Sequence, residues 1–246
     1  MKDILSEIVE NKRRELAASV IFSGRSLKKA LTESGSGIIA EFKRKSPSRG
    51  WIHEDADPMV VIPAYEKAGA AALSILTDGK YFGGDIAFIK KVRPLVNIPI
   101  LRKDFIISRQ QILEARIADA DAVLLIAACL TLDECGGLTT YAHDLGLEVL
   151  LEIHSADEIE YVTDEVDVVG VNNRNLGTFV TDVENSFALA ELLSHKGKVM
   201  VSESGISSPD IVYRLRNVGY RGFLMGENFM KQENPAKALS DFIGAL

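Results

Sequence analysis

Two side chains that could carry acid–base chemistry, Glu41 and Lys43, stand two residues apart where a short apolar run ends. Residues two apart in a strand point to the same side, so the pattern predicts that Glu41, Lys43 and Lys45 share one face behind Ile39. A carboxylate beside ammonium groups can exchange protons with a substrate, and burying such charges without a use is costly. The same stretch fits an edge strand with a solvated charged face equally well, so the rest of the chain must decide.

Similar polar residues end other apolar runs further along the chain, each where the run passes into a turn. For any one of them, a solvated loop position is the ordinary explanation. A set placed at the same end of alternate elements favours a common site instead, because it would bring carboxylates, amines and an amide together. The residues of this set are Glu41, Lys43, Lys103, Glu152, Asn172, Glu203 and Ser204.

The elements that must position this set alternate between strand and helix. Continuous apolar runs are typical of strands buried on both faces of a parallel sheet, and eight strands, each followed by a helix, favour a closed (β/α)8 barrel over an open doubly wound sheet. The first strand begins at residue 38, and the others cover 71–77, 98–104, 122–126, 147–153, 166–172, 198–203 and 222–226. The helices cover 58–68, 86–92, 108–118, 132–145, 156–161, 183–193, 209–217 and 235–245.

Two further helices, over 4–20 and 27–32, are predicted ahead of the first strand. Apolar positions of the first one recur with a helical period, which predicts a solvated surface helix that could also cover one end of the barrel. These positions are Ile4, Leu5, Ile8, Val9, Leu16 and Val20. No linker or composition break divides the chain, so we expect one domain over 1–246 with residues 1–37 as an N-terminal helical extension.

Bulk composition limits the class of protein. The chain has 246 residues and a net charge of −7, which argues against nucleic acid as a partner. Two cysteines without metal-site spacing, a charged N-terminus and the lack of a long apolar run predict a soluble cytoplasmic protein with no membrane span. No apolar surface stripe stands out, so we expect a monomer.

Two loops near the end of the chain suggest a phosphate site. The segment 204–209 follows the seventh predicted strand and 226–228 follows the eighth, and barrels often bind phosphate in these loops. Gly205 and Gly226 would let backbone N–H groups approach the anion. Glu227 carries the wrong charge and would have to point away. The alternative for each loop is an ordinary turn or cap.

Apolar side chains are expected at the same end of the barrel. Phe82, in the loop 79–84, is hard to explain as core and suggests a wall for an aromatic ring. The full apolar set is Pro47, Phe82, Phe105, Leu124 and Leu224.

Taken with its surroundings, the segment 41–48 (EFKRKSPS) resembles the signature of the indole-3-glycerol phosphate synthase family. The likeness extends along nearly the whole chain through six further motifs. Two of them, SESGI and FLMGE, are less specific, because several phosphate-binding barrels share similar ones. The further motifs are LTD at 76–78 with YFGG at 81–84, LRKDF at 101–105, LEIH at 151–154, NNRNL at 172–176, SESGI at 202–206 and FLMGE at 223–227.

The resemblance implies an activity and a role for each site residue. The family converts 1-(2-carboxyphenylamino)-1-deoxyribulose 5-phosphate into indole-3-glycerol phosphate with release of carbon dioxide and water. Lys103 would be the general acid of ring closure and Glu152 the acid–base group of dehydration. Lys43, Glu41, Glu203 and Asn172 would complete the polar set; Arg174, Lys45 and Ser46 would bind the substrate; Pro47, Phe82, Phe105, Leu124 and Leu224 would hold its anthranilate ring; Ser204, Gly205, Gly226 and Glu227 would match the phosphate loops.

Two positions depart from some family members: His154, where they carry an amide, and Glu227, where they carry serine. The chemistry itself calls for no cofactor and no metal, which fits the lack of His/Cys clusters in the sequence. We expect Lys103, near other cations and partly desolvated, to have a lowered pKa. A dry apolar pocket would favour the loss of the substrate carboxylate as neutral carbon dioxide.

Two other functions remain open at this level. One is a different enzyme on the same scaffold, such as a phosphoribosylanthranilate-type isomerase that performs an Amadori rearrangement, although it has no evident need for Lys43, Lys103 and Glu152 together. The other is a non-catalytic barrel that binds a phosphorylated metabolite, against which the paired acid and base groups argue.

Overall fold

Eight parallel strands close into a barrel in the computed structural model, which describes residues 4–19, 24–175, 177–178 and 180–246. Each strand pairs with its neighbours along the chain, and β1 pairs with both β4 and β10 to complete the ring. The predicted (β/α)8 architecture is therefore confirmed. The barrel strands are β1 (Ile38–Phe42), β4 (Ala72–Leu76), β5 (Ile100–Lys103), β6 (Ala122–Ile126), β7 (Glu148–Ile153), β8 (Val168–Asn172), β9 (Val199–Glu203) and β10 (Tyr220–Met225). A small hairpin, β2 (Lys45–Ser46) with β3 (Gly50–Trp51), follows β1.

Most helices lie where the sequence predicts them. The α-helices are α1 (Ile4–Ser19), α2 (Leu27–Glu33), α3 (Pro58–Lys67), α4 (Gly79–Phe82), α5 (Ile86–Val92), α6 (Arg109–Ile117), α7 (Leu132–Asp144), α8 (Glu184–Ser194), α9 (Pro209–Asn217), α10 (Glu227–Met230) and α11 (Pro235–Gly244), of which α4 and α10 are additional. Short 3-10 helices cover Arg93–Leu95, Ala127–Cys129 and Ala156–Tyr161.

Helix α3 shows how local sequence sets these boundaries. Asp57 accepts a hydrogen bond from the backbone N–H of Met59, and Pro58 occupies the first turn, where no intrahelical N–H partner is needed. The helix ends before Gly69, whose φ of +98° is a conformation that favours glycine. Sequence alone therefore places this helix to within a residue.

Several predicted elements differ in detail. The segment 156–161 is a 3-10 helix rather than an α-helix, and the Glu158 carboxylate within it accepts a hydrogen bond from the backbone N–H of His154, which ties the turn back to β7. Helices α4 and α10 lie in stretches expected to be loops. In α4, the Asp78 carboxylate caps the N–H groups of Tyr81 and Phe82, a local signal that the glycines around it obscured.

Helix α1 occupies the segment predicted as a surface helix. Its apolar side chains Ile4, Leu5, Ile8 and Val9 are all exposed. Val20 and the side chain of Leu16 lie outside the described residues. None of the helices in the described ranges has both the length and the apolar character to cross a membrane.

Helix α2 is fixed to the end of the barrel opposite the polar strand ends. Ser26, its N-cap, donates to the Glu148 carboxylate at the start of β7, and the N–H of Lys28 donates to the same carboxylate. Arg25 donates to Asp121, which is 3% exposed and also accepts from Arg93. These contacts place the segment before β1 against the barrel floor.

Asp121 is expected to be a stability residue. It accepts from Arg93 at 2.8 Å and from the backbone N–H of Ile100 at 2.8 Å. We expect Asp121→Asn to lower the free energy of unfolding by about 3–5 kcal/mol, because the buried guanidinium of Arg93 loses its charged partner. Urea unfolding checks this. Asp119→Asn is the control: its carboxylate is 47% exposed, and its ion pairs are worth at most about 1 kcal/mol. Equal effects of both variants would contradict the prediction.

Candidate active site

A cavity of about 800 Å³ opens at the C-terminal ends of the barrel strands. The polar strand ends, the aromatic loop residues and both glycine loops meet there. All of the site residues expected from sequence line it, except Lys45. They are Glu41, Lys43, Ser46, Pro47, Phe82, Lys103, Phe105, Leu124, Glu152, Asn172, Arg174, Glu203, Ser204, Gly205, Leu224, Gly226 and Glu227.

Lys45 corrects the first expectation. Strand β1 ends at Phe42, so its alternation does not reach residue 45, which belongs to the separate strand β2. The Lys45 ammonium donates to the backbone carbonyl of Lys80 at 3.1 Å and lies over the Trp51 ring. Lys45 is therefore placed outside the cavity, with its cation held by the hairpin and the loop after β4.

Lys103 stands between two buried carboxylates. Its Nζ lies 2.8 Å from Glu152 Oε2 and 2.8 Å from Glu203 Oε2. These residues come from β5, β7 and β9, and Glu41 comes from β1. The four strands are alternate members of the barrel, and alternate strands contribute side chains to one interior layer. The barrel thus assembles three carboxylates and an amine at a single level, just below the mouth.

Glu41 is paired within the same layer. Its Oε1 lies 2.7 Å from the Lys43 Nζ, and the residue is only 3% exposed. The alternative of an edge strand with a solvated charged face is therefore wrong for this stretch. Gly226 lies so close that a Cβ there would come within 2.6 Å of Glu41 Oε1, so this glycine is required by packing as well as by any approach to an anion.

The second oxygen of Glu152 is also engaged. Asn172 donates from Nδ2 to Glu152 Oε1 at 3.0 Å, and His154 Nε2 lies 3.2 Å from the same oxygen. Glu152 is 2% exposed. Both of its oxygens therefore face donors, an arrangement that favours the carboxylate form.

The proton affinities of this cluster follow from its geometry. Burial alone would lower the pKa of Lys103, but the charges of Glu152, Glu203 and Glu41 outweigh it and raise that pKa. The expected lowering is therefore wrong, because the nearest charges are anions. Burial would raise the pKa of Glu152, yet Lys103 and the contacts with His154 and Asn172 bring it well below the usual range.

Glu203 behaves in the opposite way. Burial raises the pKa of Glu203 to about 7, with Glu152 and Glu41 adding to the rise and Lys103 opposing it. Near neutral pH this carboxyl can hold a proton, whereas Glu152 is ionised. Gly170 on β8 makes room for it, since a Cβ at that position would come within 2.2 Å of Glu203 Oε1.

The loop after β9 adopts an unusual backbone. Ser204 has a φ of +65° and Gly205 a φ of +78°, the first being uncommon for a residue with a side chain. The buried amide of Asn173 holds this turn by donating to the Ser204 carbonyl at 2.9 Å. Two successive left-handed residues turn the loop toward the cavity, which suits backbone recognition of an anion.

Glu227 does not simply turn away from the cavity, as expected from its charge. Its Oε1 lies 2.8 Å from Arg49 Nε, and its Oε2 lies 3.8 Å from Arg174 Nη2. Arg174 also donates to the Ser48 hydroxyl at 2.9 Å. The negative charge is therefore compensated by two arginines at the rim.

An aromatic pair forms the apolar wall. The Phe82 and Phe105 rings are 6.1 Å apart between centroids, with planes inclined by 34°. Leu124 and Leu224 line the cavity below them. The site therefore has an apolar side for a ring and a charged layer beside it.

Sequence reasoning missed several cavity residues. Arg49 lies in the turn between β2 and β3, and its ion pair with Glu227 depends on the closure of the barrel, which places β1 beside β10. Asp104 follows Lys103 directly and accepts from Thr77 Oγ1 and Arg102 Nη2. The signal for this network was Arg102, a charge inside an apolar strand, where it is 4% exposed.

In the described parts of the chain, no group of three or more His, Cys, Asp or Glu side chains is arranged to hold a metal ion. The cluster at the mouth instead alternates carboxylates with amines.

Comparison with known proteins assigns the family. A family model described as indole-3-glycerol phosphate synthase matches residues 2–242. The indole-3-glycerol phosphate synthase of Bacteroides thetaiotaomicron is 55% identical over 260 aligned positions that cover 100% of both chains. That of Carboxydothermus hydrogenoformans is 44% identical over 87% of this chain and 83% of its own. That of Geobacillus thermodenitrificans is 43% identical over 96% and 88% respectively.

Proposed function

Because the chain belongs to the indole-3-glycerol phosphate synthase family, a family of decarboxylating lyases in tryptophan biosynthesis, we propose how its residues divide the work of ring closure, decarboxylation and dehydration. The substrate is 1-(2-carboxyphenylamino)-1-deoxyribulose 5-phosphate. Neither an isomerase nor a non-catalytic binder is supported by the three relatives named above, each of which is an indole-3-glycerol phosphate synthase.

Lys103 is the general acid of ring closure. The ring carbon that bears the carboxylate attacks the ketone carbon, and the ketone oxygen takes the proton from the Lys103 ammonium to become a hydroxyl. The contacts of Lys103 with Glu152 and Glu203, each 2.8 Å, keep the group protonated, so it carries its proton when the substrate arrives. The carbon–carboxylate bond then breaks, carbon dioxide leaves and the ring regains its aromaticity.

Glu152 acts in dehydration. The hydroxyl leaves with a proton as water, and the new double bond forms as Glu152 removes the proton from the neighbouring carbon. The lowered pKa of Glu152 means that the group is ionised and free to accept a proton. Glu203, whose pKa is about 7, stabilises the Lys103 ammonium and can supply the proton that leaves with the hydroxyl. Asn172 orients Glu152, and the Glu41–Lys43 pair completes the polar set.

The remaining residues hold the substrate. The wall of Phe82 and Phe105, with Pro47, Leu124 and Leu224, accepts the anthranilate ring, and Arg174 with Ser46 binds at the polar rim. Ser204, Gly205, Gly226 and Glu227 form the phosphate end through their loops. Lys45 has no part in this proposal.

The phosphate end gives a direct prediction. We expect Gly205→Ala to raise the KM for the substrate about tenfold or more, because a Cβ would come within 2.7 Å of Thr181 Cγ2 and strain a backbone at φ +78°. Gly197→Ala is the control: its φ of +64° imposes the same strain in open space. Steady-state kinetics measure both. An unchanged KM in Gly205→Ala, with phosphate-analogue binding retained, would count against the assignment.

The observation that carries the division of roles is the contact of Lys103 with both Glu152 and Glu203 inside one cavity. The experiment is a fluorescence assay for the indole product with purified protein and the carboxyphenylamino-deoxyribulose phosphate. Turnover by the unmodified chain is the expected result, and it provides the reference for the variants. A folded protein without turnover would contradict the whole scheme.

We also propose that the chain works as a single domain, with residues 1–37 as an N-terminal extension of the barrel, and as a monomer, as expected from the sequence. A cytoplasmic location fits the two free cysteines. The net charge of −7 supports the proposal that it binds a small molecule and no nucleic acid.

A further inference from the structure

His154, just beyond β7, sits between two carboxylates. Its Nε2 lies 3.2 Å from Glu152 Oε1 and its Nδ1 lies 3.6 Å from Glu158 Oε2, with the side chain only 14% exposed. Both ring nitrogens are buried, and among the described residues neither makes a well-directed hydrogen bond. The contact with the carboxylates is therefore chiefly electrostatic.

The backbone holds the imidazole in this place. The N–H of His154 donates to Glu158 Oε2 at 2.6 Å, and Asn185 Nδ2 donates to the His154 carbonyl at 3.0 Å. Lys103 contacts Glu152 through Oε2, whereas His154 and Asn172 contact Oε1. Glu152 thus has the proposed acid on one oxygen and the histidine on the other.

The charges around His154 favour its protonated form. Burial would lower the pKa of His154, but contact with Glu152 and the charges of Glu158 and Glu203 raise it. A second cavity, of about 680 Å³, lies beside the imidazole. The titratable and charged groups near His154, or beside that cavity, are Glu152 on β7, Glu158 on the following 3-10 helix, Lys103 on β5, Cys129 after β6, Arg174 and Asp182 after β8, and Glu203 on β9.

We propose that His154 is a positioning residue that, as an imidazolium, keeps Glu152 ionised over the pH range in which dehydration takes place. A cation beside a carboxylate stabilises the charged form, and here it does so on the oxygen that Lys103 does not touch. This inference rests on the proposed role of Glu152 as the base. His154 acts through Glu152 and needs no contact with the substrate.

The variant His154→Gln tests the proposal. Glutamine can place an amide N–H near the position of Nε2 but carries no charge. In the proposed scheme Lys103 has given up its proton before dehydration, so the cation in contact with Glu152 at that step is His154. Without this cation the pKa of Glu152 rises at the dehydration step, and a base works only above its pKa. In a plot of kcat against pH, the acidic limb should therefore move to higher pH by about one pH unit. Turnover should recover toward that of the unmodified enzyme at high pH, with little change in KM.

His143→Gln is the matched control. His143 Nε2 lies 2.9 Å from Asp167, so the change removes a histidine from a carboxylate away from the cavity. An equal shift of the limb in this control would overturn the proposal, because it would reveal a general charge effect. A pH-independent loss of kcat in His154→Gln would also overturn it, because that result indicates a structural role alone.

Two further measurements separate this inference from the role of Glu152. We expect Glu152→Gln to lose turnover. If it does, and the acidic limb of the pH profile of kcat does not move in His154→Gln, the role of Glu152 stands and only the His154 proposal fails. If Glu152→Gln keeps turnover, the base assignment fails. Coupling is reciprocal, so the ring of His154, followed by NMR among four histidines, should titrate at a lower pH in Glu152→Gln. An unchanged midpoint would overturn the coupling.

Discussion

Lys103→Met is expected to lower kcat by about 10²–10⁴-fold while the substrate still binds. This is the usual contribution of a positioned general acid, and methionine fills similar space without a proton to give. The variant also removes the cation that Glu152 and Glu203 share, since one oxygen of each carboxylate lies 2.8 Å from Lys103 Nζ. We therefore expect the two carboxyls to take up a proton between them near neutral pH.

The indole fluorescence assay measures turnover, and a substrate-binding titration shows whether the pocket is intact. Lys198→Met is the control, because Lys198 precedes β9 at the opposite end of the barrel and donates to the Asp164 carbonyl. Its kcat should stay unchanged. Turnover within tenfold of the unmodified enzyme in Lys103→Met would rule out Lys103 as the acid and direct attention to Lys43, which shares the cavity.

Glu152→Gln is expected to lower the rate of indole formation by a similar factor of about 10²–10⁴, but at a later step. Glutamine keeps the size of the side chain and an oxygen for Lys103, although its NH2 group cannot accept the hydrogen bond that Asn172 donates to Glu152 Oε1. Lys103 can still protonate the ketone oxygen. Ring closure and the loss of carbon dioxide should therefore continue until the hydroxylated intermediate accumulates.

A single-turnover experiment that follows carbon dioxide and indole together tests this sequence of steps. We expect a burst of carbon dioxide without indole. Parallel loss of both products would mean that Glu152 acts at ring closure or before it. Glu148→Gln is a control on the same strand: Glu148 starts β7 at the far end, where it accepts from Ser26, so the change should affect stability and leave turnover intact.

The two variants together also address a question that the residue types leave open, namely which of Lys43 and Lys103 acts first. Lys43 is paired with Glu41 at 2.7 Å, whereas Lys103 faces the two carboxylates of opposite proton affinity. A site with one carboxyl that readily holds a proton and one that does not provides both an acid and a base at the same pH. This asymmetry favours Lys103 and its neighbours as the centre of the proton transfers.

Much of this architecture could be predicted from local patterns in the chain. Continuous apolar runs and amphipathic segments are each recognised from neighbouring residues. Their alternation along the chain therefore predicted eight strands, each followed by a helix, and the barrel. The end of each strand is equally local, and in a parallel barrel all the C-terminal ends lie on one face. Glu41, Lys103, Glu152 and Glu203 could therefore be assigned to one mouth without any knowledge of distances.

Contacts across the barrel could not be predicted in this way, because they depend on strand register and on where each strand stops. Closure of the barrel places residues of alternate strands in one layer, so Lys103 contacts two anionic side chains. These charges raise the pKa of Lys103, which was expected from the sequence to fall. The stop of β1 at Phe42 removes Lys45 from the site. The guanidinium of Arg49 against Glu227 is likewise a consequence of closure, which brings the loops after β1 and β10 together.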